Sequence, residues 1–142
     1  MRKAKGKYFN NQSGVAAVEF AIIAPVLMLV LFGIIAYGIF FGVAHSVQQL
    51  ASNSARAAMG GLNSAERQAL VEAYVETYLE RDGLLIAEHL TVEVEPLEGD
   101  ETIMAVRVSY DAAELPVWNL YNGLPPPERI IERQSLIRTG GY

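Results

Sequence analysis

The chain has 142 residues, 51% of them hydrophobic and 19% charged, with no cysteine and a formal net charge of −5. Disulfide staples are excluded, and one domain is the prior for this length. The charges are unevenly placed: residues 1–14 hold four basic and no acidic side chains, while residues 45–142 hold seven basic and fifteen acidic ones, a balance of −8 that argues against nucleic acid as a partner.

Arg2, Lys3, Lys5 and Lys7 lie in a short polar stretch without a hydrophobic period, which reads as a basic leader over residues 1–14. Basic residues before a first membrane helix hold that end in the cytoplasm and can lie against anionic lipid. From Phe20 to Ala44 there follow 25 residues with no Asp, Glu, Lys, Arg or His. At about 1.5 Å per residue they cover roughly 37 Å, more than the ~30 Å hydrocarbon layer. A tilted single pass is expected, with the acidic part on the far side. Pro25 removes one backbone bond, so a kink near residues 21–25 is expected. Gly38 and Gly42 form a small-xxx-small pair that permits close approach of another helix.

No helix breaker appears before Gly60-Gly61, and Val47, Leu50 or Ala51, Ser54 and Ala58 continue a thin stripe. A transmembrane and extended helix over residues 15–59 is expected, roughly 67 Å long. Its outer third must pack on the rest of the chain or on other copies.

Residues 62–142 read as an α+β domain. Asn63 and Glu66 have capping-box spacing, and Leu70, Val71, Tyr74, Val75, Tyr78 and Leu79 recur at threes and fours up to an Asp82-Gly83 stop. Leu90 to Glu95 alternates strictly, and Pro96 is expected to close that strand. Met104, Val106, Val108 and Tyr110 share one face of its antiparallel partner. Asp111 to Glu128 reads as a loop anchored by Trp118, Leu120 and Tyr121, followed by a third strand over residues 129–138 and a frayed end. The fold class is an α+β membrane protein: a long transmembrane helix, then one helix on a three-stranded antiparallel sheet.

An enzyme is not expected, because the two histidines, His45 and His89, stand in no nucleophile, zinc or phosphate motif. Glu93, Glu95, Glu98, Asp100 and Glu101 lack the ligand spacing of a calcium loop. No metal or cofactor is expected. Glu19 is different, since a carboxylate at the mouth of a membrane segment is costly and calls for a partner. A cut after Gly14 would create an amine on Val15, four residues away, and that amine is a natural counter-charge.

Gly14, Glu19 and Phe20, with a basic leader before and an apolar helix after, resemble the prepilin peptidase site of type IV pilin-like proteins. The wording from Ala16 to Leu27, and Ala55-Arg56-Ala57-Ala58 after the helix, is similar to the TadE-like pseudopilins of tight-adherence (Flp-type) pilus systems, TadE or TadF. The resemblance implies processing between Gly14 and Val15 and recognition and assembly roles for Glu19 and Phe20, while Pro25, Gly38 and Gly42 are the helix-packing candidates on their own chemistry. It implies as partners a prepilin peptidase, other pilins and pseudopilins, an inner-membrane assembly platform and the lipid bilayer. The place it implies is the bacterial cytoplasmic membrane, with the carboxyl-terminal domain periplasmic. Val15 replaces the phenylalanine frequent at that place in ordinary type IV pilins. Two other readings compete: an uncleaved single-pass anchor presenting a partner-binding domain, and a secreted protein cut after Gly42-Val43-Ala44.

Overall fold

A computed structural model describes residues 12–97, 100–118 and 127–138. The leader up to residue 11, the turn residues 98 and 99, the expected anchors Leu120 and Tyr121, and the last four residues lie outside these ranges. The elements run α1 (Gln12–Ala58), α2 (Ser64–Asp82), a 3-10 turn (Ala87–His89), β1 (Leu90–Leu97), β2 (Asp100–Asp111), a second 3-10 turn (Pro116–Trp118) and β3 (Ile130–Arg138). The strands form one antiparallel sheet in the order β1-β2-β3. The α+β class, with its long apolar first helix and three-stranded sheet, is as the sequence pattern implied.

Helix α1 has 47 residues, about 70 Å at the usual rise, and its helical assignment continues through Pro25. Two different halves make it up. From Gly14 to Ile35 its large side chains stand exposed. From Ala36 onward one stripe is buried: Ala36, Phe40, Val43, Val47, Leu50, Ala51, Ala55 and Ala58, all at most 9% exposed. The steps of three and four keep that stripe on one face. It is the spine of the hydrophobic core, which α2, β2, β3 and the Pro116–Trp118 turn complete from the other side.

The turn between the two helices is tight. A Cβ on Gly61 would stand 2.6 Å from Arg67 Cγ and 2.7 Å from Arg67 N, so only glycine fits there without a shift. Asn63 caps α2 by accepting from the Glu66 N–H at 2.9 Å, and the Glu66 carboxylate accepts from the Leu62 N–H at 2.8 Å. The box therefore closes one residue earlier than the standard pattern, in which the cap's own N–H would be the donor. Gly83, with φ 65°, ends α2 in the left-handed region that suits glycine.

Val71 is the fully buried residue of α2, with Tyr74, Val75, Tyr78 and Leu79 packed beside it. Leu70 is 38% exposed, because each residue advances about 100° around the axis and Leu70 falls at the edge of the apolar arc. Met104, Val106, Val108 and Tyr110 of β2 face the core as their alternation implied, pairing with Val94, Val92 and Leu90 on one side and with Ile137 and Ile131 on the other. On the outer face Arg107 lies 3.2 Å from Glu132 and 4.0 Å from Glu93, an exposed bridge across all three strands.

Pro96 does not close β1. The strand runs on to Leu97, and the register shifts between these two residues. A missing N–H is tolerated there because β1 is an edge strand. The segment expected as a plain loop after Asp111 contains the Pro116–Trp118 turn, whose indole Nε1 donates to Ala112 O at 2.5 Å.

Candidate functional site

Helix α1 sets the geometry of the site. Gly14, Val15, Glu19 and Phe20 lie within its first nine residues, all exposed, with Val15 at 69% and Phe20 at 68%. Gly14, Val15, Val18, Glu19 and Ile22 line one shallow open concavity, as helical spacing places them along one side. The Gly14–Val15 peptide sits within the first helical turn.

Val15 and Glu19 are four residues apart, about one helical turn, so an amine on Val15 would stand near the Glu19 carboxylate. Among the described residues no hydrogen bond or ion pair reaches the Glu19 carboxylate. Among the described residues neither Gly38 nor Gly42 is packed against: a Cβ at either position would meet nothing within 4 Å. They lie with Phe41, His45 and Gln49 on the face of α1 that the domain leaves uncovered, and the His45 and Gln49 side chains are bonded there at 2.7 Å.

Where the helix enters the domain, α2 runs antiparallel to it. The Ser46 hydroxyl donates to Asp82 Oδ1 at 3.1 Å, and the Tyr78 hydroxyl lies 3.4 Å from Ser46 O. Burial and the neighbouring Asp82 carboxylate raise the Tyr78 hydroxyl above its ordinary value. At the same end of the domain Asp111 accepts from the Ala113 N–H at 2.9 Å and faces Arg129 at 3.4 Å. These two contacts, the backbone bond first, hold its carboxyl below the ordinary range. Among the described residues no three histidine or carboxylate side chains are placed to hold a metal ion.

The folded domain takes back part of the expected span. The sequence places the exit from the membrane at His45, but Ala36, Phe40 and Val43 are core residues. Among the described residues, the length of α1 left uncovered by the domain runs from Gly14 through Ile35, about 33 Å, close to the ~30 Å of a hydrocarbon layer. The stripe from Ala36 to Val43 does not stand out in the sequence as a packing face, because every neighbouring residue is also apolar. Its spacing of three and four was the available signal.

Residues 14–56 match the family model of the TadE-like proteins. The matched segment begins at Gly14, runs through Glu19, Pro25, Gly38 and Gly42, and ends on Arg56. It coincides with α1 and includes the half of the helix that carries the domain. No curated protein and no solved structure matches the chain. The TadE-like segment fits a pilin-like protein of a Tad pilus system, and the long apolar helix fits a single-pass membrane protein.

Proposed function

We propose that the protein is a minor pseudopilin of a tight-adherence pilus system, a structural and assembly component without catalysis of its own. A prepilin peptidase cuts it between Gly14 and Val15 on the cytoplasmic side. The domain stands on the periplasmic side, and the mature helix joins other pilins and pseudopilins through the inner-membrane assembly platform. The observation that carries this reading is the TadE-like match over a 47-residue helix, with Gly14 and Glu19 exposed on its first turns and a domain clasped to its far half.

In that role Phe20 and the exposed apolar side chains below Ala36 are the lipid- and neighbour-facing surface, and Glu19 awaits the amine released by the cut. Gly38 and Gly42 lie open to a neighbouring helix. The mass of the chain purified from a host with an active prepilin peptidase should correspond to a start at Val15, and Gly14→Ala should keep the leader. Glu19→Gln should leave cleavage and membrane insertion intact while preventing incorporation into the pilus. An intact amino terminus, with Glu19→Gln assembling normally, would favour an uncleaved anchor that presents the domain to a partner.

A further inference from the structure

We propose that the domain is partly immersed in the bilayer it stands on, with Leu84, Ile86 and Ile130 resting against zwitterionic phospholipid around the emerging helix. Three observations converge on this seat.

The topology comes first. Because α2 runs back along α1 and meets it at Ser46, the end of α2 points toward the apolar amino-terminal half of α1. The chain then turns at Gly83 and exposes Leu84 and Ile86, each at 49%, before starting β1. Leu90 at the start of β1 faces Tyr110, and Ile130 at the start of β3, 59% exposed, faces Asp111. Leu84 and Ile86 therefore follow the end of α2 that points toward the amino-terminal half of α1, and Ile130 lies at the sheet end where β1 begins just after them.

The second observation is a mismatch between the two faces of α1. On the covered face the core starts at Ala36, whereas on the uncovered face the first polar side chain is His45, and Phe41 is 64% exposed. A domain standing clear of the membrane would leave Phe41 in water. Seating the domain deeper reduces the mismatch, bringing Phe41 to about two residues, ~3 Å, from the hydrocarbon while the covered face is already in protein.

Glu19 supplies the third. A layer of ~30 Å takes about 20 helical residues, so a boundary at Ala36 would make residues 16–35 the span and draw the Glu19 carboxylate into hydrocarbon. Lowering the domain by roughly four residues, ~6 Å, makes Phe20–Ile39 the span and returns Glu19 to the boundary. That depth is within the ~5–10 Å that amphipathic elements reach at the headgroup and acyl boundary. The carboxylates Glu88, Glu114 and Glu128 near the same end are exposed and stay at headgroup level. Glu114 lies 3.4 Å from His89, and Asp111 pairs with Arg129. This unbalanced acidity is why the surface suits zwitterionic lipid.

Trp118, the one tryptophan of the chain, lies in the turn that packs on α1 at this end and reports the depth directly. The full chain is reconstituted in phosphatidylcholine vesicles, dilute enough to be monomeric. Lipid brominated near the headgroup end of its chains should quench Trp118 fluorescence more than lipid brominated near the chain ends, as for a tryptophan at a membrane interface. The double variant Leu84→Asp with Ile86→Asp should lose most of that quenching. Because the chain has no cysteine, Leu84→Cys can carry a nitroxide, which should collide more with dissolved oxygen than with a water-soluble nickel complex. An inserted chain whose Trp118 is unquenched, or a Leu84 nitroxide open to nickel, overturns the proposal. Either result would put the rim in water or against a second copy.

Discussion

Ser54 is completely buried where α1 meets the rest of the core, and among the described residues its hydroxyl finds no hydrogen-bond partner. A buried hydroxyl without a partner costs its desolvation, while its small volume is what lets the helix surface lie close to its neighbours. Ser54→Ala keeps the volume and removes the unsatisfied oxygen, so it should raise stability by about 1 kcal/mol. Ser54→Leu adds three carbons to a packed stripe and should lower stability by about 1–3 kcal/mol. Thermal unfolding of the two variants in the same detergent checks both signs. The polar cluster a turn or two earlier behaves differently, since Ser46 and Asp82 are bonded to each other while Asp82 Oδ2 is buried and unpartnered. That cluster ties the end of α2 to the middle of α1 through directed bonds, where apolar packing alone would permit sliding.

The same helix serves two environments, and the sequence showed the two with unequal clarity. Alternation in β1 and β2, the Asn63 cap and the Gly83 stop were legible because each is a local pattern against a contrasting background. Glu19 and Gly14 stood out because one carboxylate interrupts an apolar run at a fixed distance from a glycine. The burial of Ala36, Phe40 and Val43 was not legible, since lipid and protein core demand the same side chains and leave no contrast between the faces. The β1 extension past Pro96 was hidden for another reason: edge position belongs to the sheet, which three separated segments build together. The free face of α1 now allows an element-scale test. A Cβ at Gly42 meets nothing, and glycine in a helix interior is about 1 kcal/mol worse than alanine. Gly42→Ala should therefore preserve or raise the melting temperature. Gly42→Leu should leave the fold of the single chain intact yet reduce pilus number if another helix approaches there. Counting pili beside a melting curve separates the effects, and a Gly42→Leu strain with normal pili would remove that glycine from the assembly surface.

At the scale of the whole molecule, the domain is not a unit hung on a tether, because its core includes the second half of the membrane helix. The sheet has one layer, and what covers it is α1 from Ala36 to Ala58 together with α2. A cut after Ala44, the site a signal peptidase would use, removes Ala36, Phe40 and Val43 from that core. Loss of a buried Phe side chain alone costs about 3–5 kcal/mol, against a total of roughly 5–15 kcal/mol for a domain. Removing three neighbouring core positions should consume most of it. A chain beginning at Ile34 should melt cooperatively, and one beginning at His45 should melt more than about 15 °C lower or show no cooperative transition. Differential scanning calorimetry of the two, in the same mild detergent, decides the matter. Equal melting temperatures would mean that residues 36–44 serve the membrane alone. A large difference means that the length of α1 is set by two requirements at once, crossing the bilayer and completing the fold, and that extraction of the helix from lipid would carry the domain with it as one rigid piece.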